Sequence, residues 1–192
     1  MLDLIKQLRG RTGLGIADCK RAIEESNGDV EKAIEILRKT GAIKAAKKAE
    51  RETKEGLIDS YIHPGGRIGV LVKINCETDF VARNEEFKNL VHNIAVQIAA
   101  SDPQYLKPED VPEEIKEKEK EIFREQLKKE GKLDAIVEKI LEGKLQKFYS
   151  EVCLTKQPFF KEEKITVEEL VNQIIAKLGE NIQIAEFVRY KL

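Results

Sequence analysis

Asn75-Cys76-Glu77-Thr78-Asp79-Phe80-Val81-Ala82-Arg83-Asn84-Glu85-Glu86-Phe87 is the stretch in which a period-two pattern hands over to a helical one. Upstream, Ile68, Val70, Val72 and Ile74 alternate strictly with other residues, the spacing of a strand that buries one face. Downstream, Phe87, Leu90, Val91, Ile94 and Ile98 recur at helical intervals and make a single apolar stripe. The strand pattern stops by Cys76, and Asn84 followed by two glutamates has the composition of a helix start. Phe80 therefore falls in the connection, where water normally reaches. A large aromatic there, beside the acid Asp79, is either a probe made for a partner or a cover for the local core.

Working outward, Gly56 to Ile62 is a second β-rich run, joined to the first through the turn Pro64-Gly65-Gly66, so the pair reads as a hairpin. Ile182 to Lys191 is a strand by composition and can join as a third. The stripe from Phe87 to Ile98 packs on this sheet, and Ser101-Asp102-Pro103 ends that helix, because proline disfavours helical geometry in the residue before it. Thr166 and Glu169 form a capping box ahead of Leu170, Val171, Ile174, Ile175 and Leu178, with Gly179 as the stop. The expected class is α+β, a three-stranded antiparallel sheet covered by helices. One edge of such a sheet is unprotected, and pairing of two such edges would make a homodimer.

The first forty residues predict three short helices, marked by Leu4, Ile5 and Leu8, by Ile16, Cys19 and Ile23, and by Val30, Ala33, Ile34 and Leu37. Asn27-Gly28 separates the last two. Between the first two, Arg11-Thr12-Gly13-Leu14-Gly15 permits a tight turn of close approach. It lacks the longer pattern of a phosphate loop, and an exposed Leu14 suits a protein contact better. A bundle this small is a binding module, residues 1–40. Residues 41–55 read as a charged helical linker: Lys44, Lys47, Lys48, Arg51 and Lys54 are interleaved with Glu50, Glu52 and Glu55 and have no aromatic platform, so a solvated face is preferred to a nucleic-acid patch.

Residues 56–192 form the α+β core, which includes a helical hairpin over 112–152. Its first arm opens at Pro112 with the narrow seam Ile115, Ile122, Phe123 and Leu127. Gly131 breaks it, and the second arm carries the wider stripe Leu133, Ile136, Val137, Ile140, Leu141, Leu145, Phe148 and Val152. The weakly apolar first arm predicts that the hairpin projects, either as a docking arm or as a stabilising insertion. Beyond it, Cys153 to Lys164 reads as a loop whose Gln157-Pro158-Phe159-Phe160 either closes the core or meets a partner.

Composition narrows the function. Lys and Arg number 34 against 35 Asp and Glu, so the long-range field does not call for a polyanion or a membrane surface. The 36% charged content, without Trp and with one Met, has the cast of a heat-adapted protein. Cys19, Cys76 and Cys153 lie far apart with no histidine at ligand spacing, which predicts neither a metal site nor disulfides; no cofactor is expected. No stretch approaches the roughly 20 apolar residues of a membrane span, and a cytoplasmic location is expected. Asp59, Glu77, Asp79, His63 and His92 offer no recognisable catalytic triad, metal set or nucleotide loop, so binding is preferred to catalysis.

Four segments taken together resemble the bacterial translation elongation factor Ts family across essentially the whole chain: Arg11-Thr12-Gly13-Leu14-Gly15-Ile16-Ala17-Asp18-Cys19-Lys20-Arg21-Ala22, Gly69-Val70-Leu71-Val72, Asn75 to Arg83, and Ser150-Glu151-Val152-Cys153-Leu154-Thr155-Lys156-Gln157-Pro158-Phe159. The resemblance implies a guanine-nucleotide exchange factor that binds elongation factor Tu and speeds release of its GDP without chemical catalysis. It implies a ubiquitin-associated-like (UBA-like) N-terminal module and a coiled-coil hairpin. It further implies that Asp79 and Phe80, with Thr78, Val81 and Arg83 around them, push between helices of the partner's nucleotide-binding domain and disturb its magnesium site and phosphate loop. Thr12, Gly13, Leu14, Gly15 and Ile16 would contact the same domain. Longer family members carry two related core subdomains and a C-terminal helical module, whereas this sequence shows one core and ends just after its last strand. Short forms compensate by homodimerising, which implies a two-plus-two complex with elongation factor Tu. The alternative is a UBA-type adaptor or a nucleic-acid-binding dimer without exchange activity.

Overall fold

Helices α1 (Leu2–Thr12), α2 (Ile16–Glu25) and α3 (Val30–Ala46) come first, in a computed structural model that describes residues 1–129 and 134–192. Their apolar stripes meet in a small core of Ile5, Leu8, Cys19, Ala22, Ile23, Ala33 and Leu37. The Asp29 carboxylate caps α3, accepting from the N–H groups of Glu31 at 3.0 Å and Lys32 at 3.1 Å. The third helix does not stop near residue 40 as the sequence reading expects. It continues to Ala46, and one side of its last turns is packed: Gly41 is buried and Ala45 is 5% exposed within the main core, while Ile43 stays 58% exposed.

The sheet consists of β1 (Glu55–Ile62), β2 (Ile68–Cys76) and β5 (Ile182–Lys191), ordered β1-β2-β5 and antiparallel throughout. The alternation in β2 places Val70, Val72, Ile74 and Cys76 on one face, none more than 2% exposed. Over that face lies α5 (Glu85–Ser101) with Phe87, Leu90, Val91, Ile94 and Ile98 buried; α8 (Val167–Leu178) adds Val171 and Ile175 to the same core. Each fully buried side chain of this size is worth about 1.5–3 kcal/mol against exposure. Helix α3 packs on α8, with Gly41 facing Ala176 and Asn172 across the contact. The opposite face of the sheet is uncovered by any described residue. Ile58, Ile62, Leu71, Val188 and Tyr190 stand on it, 37–71% exposed. The sequence reading foresees an open edge; the structure opens a face as well, on which Ser60, Lys73 and Glu186 stand among the apolar residues.

The hairpin is made of α6 (Glu113–Lys129) and α7 (Asp134–Val152), with Leu127, Val137 and Leu141 buried between them. Arg124 donates to Glu138 at 3.2 Å, and the Lys144 ammonium sits 5.4 Å from the Phe123 ring centre. Gly131, Leu133 and the side chain of Ile136 lie outside the described residues. At the base, the N–H of Tyr105 reaches the Val152 carbonyl and that of Leu154 reaches the Tyr105 carbonyl, each within 3.0 Å. The segment from Cys153 to Lys164, expected to be a loop, holds two short paired strands, β3 (Pro158–Phe159) and β4 (Glu162–Thr166). Of its two aromatic rings, Phe159 is 5% exposed and buried, whereas Phe160 is 40% exposed beside Lys161.

Candidate partner-binding site

The connection that the sequence reading leaves as a loop contains one helical turn, α4 (Asp79–Ala82). Thr78 is extended and caps it, its hydroxyl accepting from the N–H of Val81 at 3.4 Å. Successive helical residues point about 100° apart. Val81, 8% exposed, is drawn into the core beneath β2 and α5, and that anchoring turns Phe80 outward. Phe80 is 84% exposed, which removes the reading of it as a cover for the local core. Asp79 does not cap the turn; it pairs with Arg83 at 3.0 Å across one helical step, both side chains in reach of water. An exposed pair of this kind contributes little to stability, so both charges stay available to a partner at small cost.

The base of the turn is held by carboxylates. Glu180, just after the Gly179 stop of α8, accepts from the N–H of Glu77 at 3.2 Å, the N–H of Thr78 at 3.0 Å and the hydroxyl of Thr78 at 2.6 Å. In return, Glu77 accepts from the N–H of Asn181 at 2.6 Å. The Asn181 side chain donates to the carbonyls of Ala49 and Arg51, which ties the chain leaving α3 to the same joint. Sequence reasoning misses Glu180 and Asn181, since one acid and one amide after a helix stop carry no periodic or motif signal. Cys76 is fully buried and donates to the Thr78 carbonyl at 3.2 Å. Burial, with the Glu180 carboxylate adding to it, pushes the Cys76 thiol up from 9.0 to about 11.

The other sequence-marked cluster, Thr12 to Ile16, is the α1–α2 turn. Gly13 ends α1 in the left-handed region at φ 66°, with its N–H on the Arg9 carbonyl. The Thr12 hydroxyl turns back to the Leu8 carbonyl at 2.8 Å and is spent on the local fold. Leu14 is not the exposed residue expected of it; it is half-buried against the small helical core, and Ile16, 58% exposed, is the apolar group left in water. Gly15 is exposed and opens α2. One lysine links this turn to the helix that follows the other cluster. Lys177 of α8 lies against Gly13, where any Cβ would collide with it, and its ammonium pairs with Glu86 in the first turn of α5. Lys177 thus ties the α1–α2 turn to the start of α5, the helix that follows the Phe80 turn.

No other centre competes among the described residues. His63 bonds the Tyr61 hydroxyl and His92 bonds Asp59, each at 3.1 Å, and no three His, Cys, Asp or Glu residues come together as a metal site. No helix there is long and apolar enough to cross a membrane.

Comparison with known proteins places this architecture. A profile of the family described as Elongation factor TS matches residues 17–192. The chain is similar to Elongation factor Ts of Carboxydothermus hydrogenoformans, 59% identical over 99% of this chain and 88% of that protein. It is also similar to the proteins of the same name from Moorella thermoacetica, 58% identical over 98% of this chain and 93% of that one, and from Thermotoga maritima, 57% identical over 100% and 95%.

The raised Cys76 thiol has a measurable consequence. At pH 8 a thiol ionising near 11 is roughly one-thousandth thiolate, so native Cys76 is expected to resist iodoacetamide and to react once urea unfolds the chain. Because the folded thiol ionises later than the unfolded one, its contribution to stability is complete below pH 9.0 and is lost as pH rises through about 11. Rapid labelling of Cys76 in the folded protein at pH 8, located by mass spectrometry, contradicts this environment.

Proposed function

The chain belongs to the elongation factor Ts family, and we propose that it serves translation elongation as the nucleotide exchange factor of elongation factor Tu, binding that protein and speeding release of its GDP. The observation that carries the reading is Phe80: a large apolar ring 84% exposed at the apex of a turn whose base is fixed by buried Val81 and by the Glu180 carboxylate. The turn Thr78-Asp79-Phe80-Val81 with Arg83 inserts between helices of the partner's nucleotide-binding domain and displaces the groups that hold magnesium and the phosphates. The Thr12 to Ile16 turn, with Ile16 exposed, grips the same domain. Function divides along the chain into a UBA-like grip at 1–40, a joining segment at 41–55 and a core at 56–192, with the 112–152 coiled-coil hairpin as part of the core. Neither a cofactor nor nucleic acid takes part.

Exchange by binding requires differential affinity: the factor must hold the nucleotide-free partner more tightly than the GDP-bound one. A difference of about 4 kcal/mol changes nucleotide affinity roughly a thousandfold. A buried aromatic hot spot supplies about 2–4 kcal/mol of that, and the surrounding contacts supply the remainder. The open sheet face supports the second part of the reading. Ile58, Ile62, Leu71, Val188 and Tyr190 form an apolar surface suited to a second copy of the chain, giving a homodimer and a two-plus-two complex in the cytoplasm.

Phe80→Ala is expected to keep the fold and to lower stimulated release of fluorescent GDP from elongation factor Tu by roughly 30-fold, equivalent to about 2 kcal/mol. An unchanged rate removes Phe80 from the mechanism. For the dimer, light scattering at micromolar concentration is expected to return twice the 21.9 kDa of the chain, and Leu71→Glu to return it once. A wild-type protein that is strictly monomeric refutes the association.

A further inference from the structure

We propose that Glu180 is a positioning residue for exchange: its carboxylate fixes the turn that presents Phe80, and so sets the direction in which the ring meets the partner. The inference rests on the reading of Phe80 as the inserted group.

The sheet register shows where the carboxylate acts. Strands β2 and β5 pair down to Cys76 opposite Ile182. Continued by two residues, the same register would place Glu77 opposite Asn181 and Thr78 opposite Glu180. The ladder stops there, because Gly179, at φ 81°, turns one chain into α8 while Thr78 turns the other into α4. Past the last ladder pair, the N–H groups of Glu77, Thr78 and Asn181 are met by side-chain carboxylates crosswise. Glu180 takes the N–H groups of Glu77 and Thr78; Glu77 takes that of Asn181. Charged acceptors make stronger hydrogen bonds than neutral carbonyls do.

Glu180 also orients Thr78. The hydroxyl has one proton, and at 2.6 Å from Glu180 Oε1 that proton goes to the carboxylate. The oxygen is thereby left as a pure acceptor, the role it plays toward the N–H of Val81 at the start of α4. A chain of contacts therefore runs from Glu180 through Thr78 to the residue whose burial throws Phe80 outward. The joint has a second tie: the Asn181 side chain donates to the carbonyls of Ala49 and Arg51, Gln183 donates to that of Ala49 at 3.0 Å, and Lys48 donates to the Gly179 carbonyl at 2.6 Å. The exit of α3 and the base of the Phe80 turn are thus both fixed to Asn181, so the N-terminal grip and the inserted ring are presented in a set relation. A glutamine at 180 keeps the size of the side chain but has one acceptor oxygen in place of two, and its amide competes for the Thr78 oxygen.

The test is stimulated release of fluorescent GDP from elongation factor Tu, measured across factor concentration with the full chain carrying Glu180→Gln, Phe80→Ala or both. Glu180→Gln is expected to lower the maximal rate roughly tenfold while moving the half-saturating concentration little, as a misdirected inserted group does. In the Phe80→Ala background it is expected to add nothing further, since there is no ring left to position; amide exchange at Glu77 and Thr78 is expected to accelerate. Should Glu180→Gln fail to fold, Thr78→Val carries the same comparison, because it removes the hydroxyl link from the other side. A variant at 180 or 78 with the wild-type maximal rate, alongside a slowed Phe80→Ala, overturns the positioning role and leaves the function standing. Losses that multiply in the double variant overturn it as well. A Phe80→Ala protein as active as wild type overturns the functional reading itself, and the positioning role with it.

Discussion

Packing of β2 against α5 is the contact on which the rest of the molecule depends. Val70, Val72, Ile74 and Cys76 face Phe87, Leu90, Val91 and Ile94 with almost no water between them. A strand and a helix in direct succession, both fixed by burial, leave only a short segment to reverse direction, and α4 is that segment. It has room for one turn, with Val81 in the core and Ala82 half-buried against it. With Val81 inward, Phe80 is displaced into water by the geometry of the turn rather than by any property of its own. Burying a phenylalanine is worth about 1.5–3 kcal/mol, and the folded chain forgoes that gain. The same free energy becomes available to whatever surface accepts the ring.

The elements farther out serve to hold this turn and its neighbourhood. Strand β5 extends the sheet beside β2, then delivers Glu180 and Asn181 to the base of α4. Helix α8 packs between α3 and the core, and its Lys177 runs from Gly13 of the α1–α2 turn to Glu86 of α5. The buried amides of Gln97 and Gln157 fasten the β3–β4 segment to α5: Gln97 donates to the Gln157 oxygen and to the Pro158 carbonyl and accepts from the N–H of Phe160. Buried polar groups of this kind are tolerated because each has found a partner, and they fix one arrangement of the surrounding chain.

Much of this architecture is legible in the sequence because burial writes a period. The alternation of Ile68 to Ile74, the stripe from Phe87 to Ile98 and the capping box at Thr166 and Glu169 each announce their element, and the structure has all three. What is not legible depends on contacts between distant segments. Ile16 and Leu14 are neighbours of similar composition, yet tertiary packing half-buries Leu14 and leaves Ile16 in water. The charged run after residue 40 reads as solvated; only the approach of α8 shows that Gly41 and Ala45 are inside. The candidate site follows the same rule. Phe80 stands out as an aromatic between two periodic runs, but its direction is set by Val81, and its support comes from Glu180, 102 residues away from Thr78. The adaptor and nucleic-acid alternatives drew on the first forty residues and the lysines that follow, and neither accounts for a fully presented ring on the core.

On the proposed function, a fixed apolar ring and a small helical grip meet the nucleotide-binding domain of elongation factor Tu, and GDP leaves that partner because the factor prefers its empty form. The most direct measurement is the release rate of fluorescent GDP from elongation factor Tu of the same organism, followed by stopped flow with and without excess factor. Release that accelerates with factor concentration and then saturates is the predicted result. A release rate indifferent to the factor, under conditions where the two proteins co-elute, contradicts the claim.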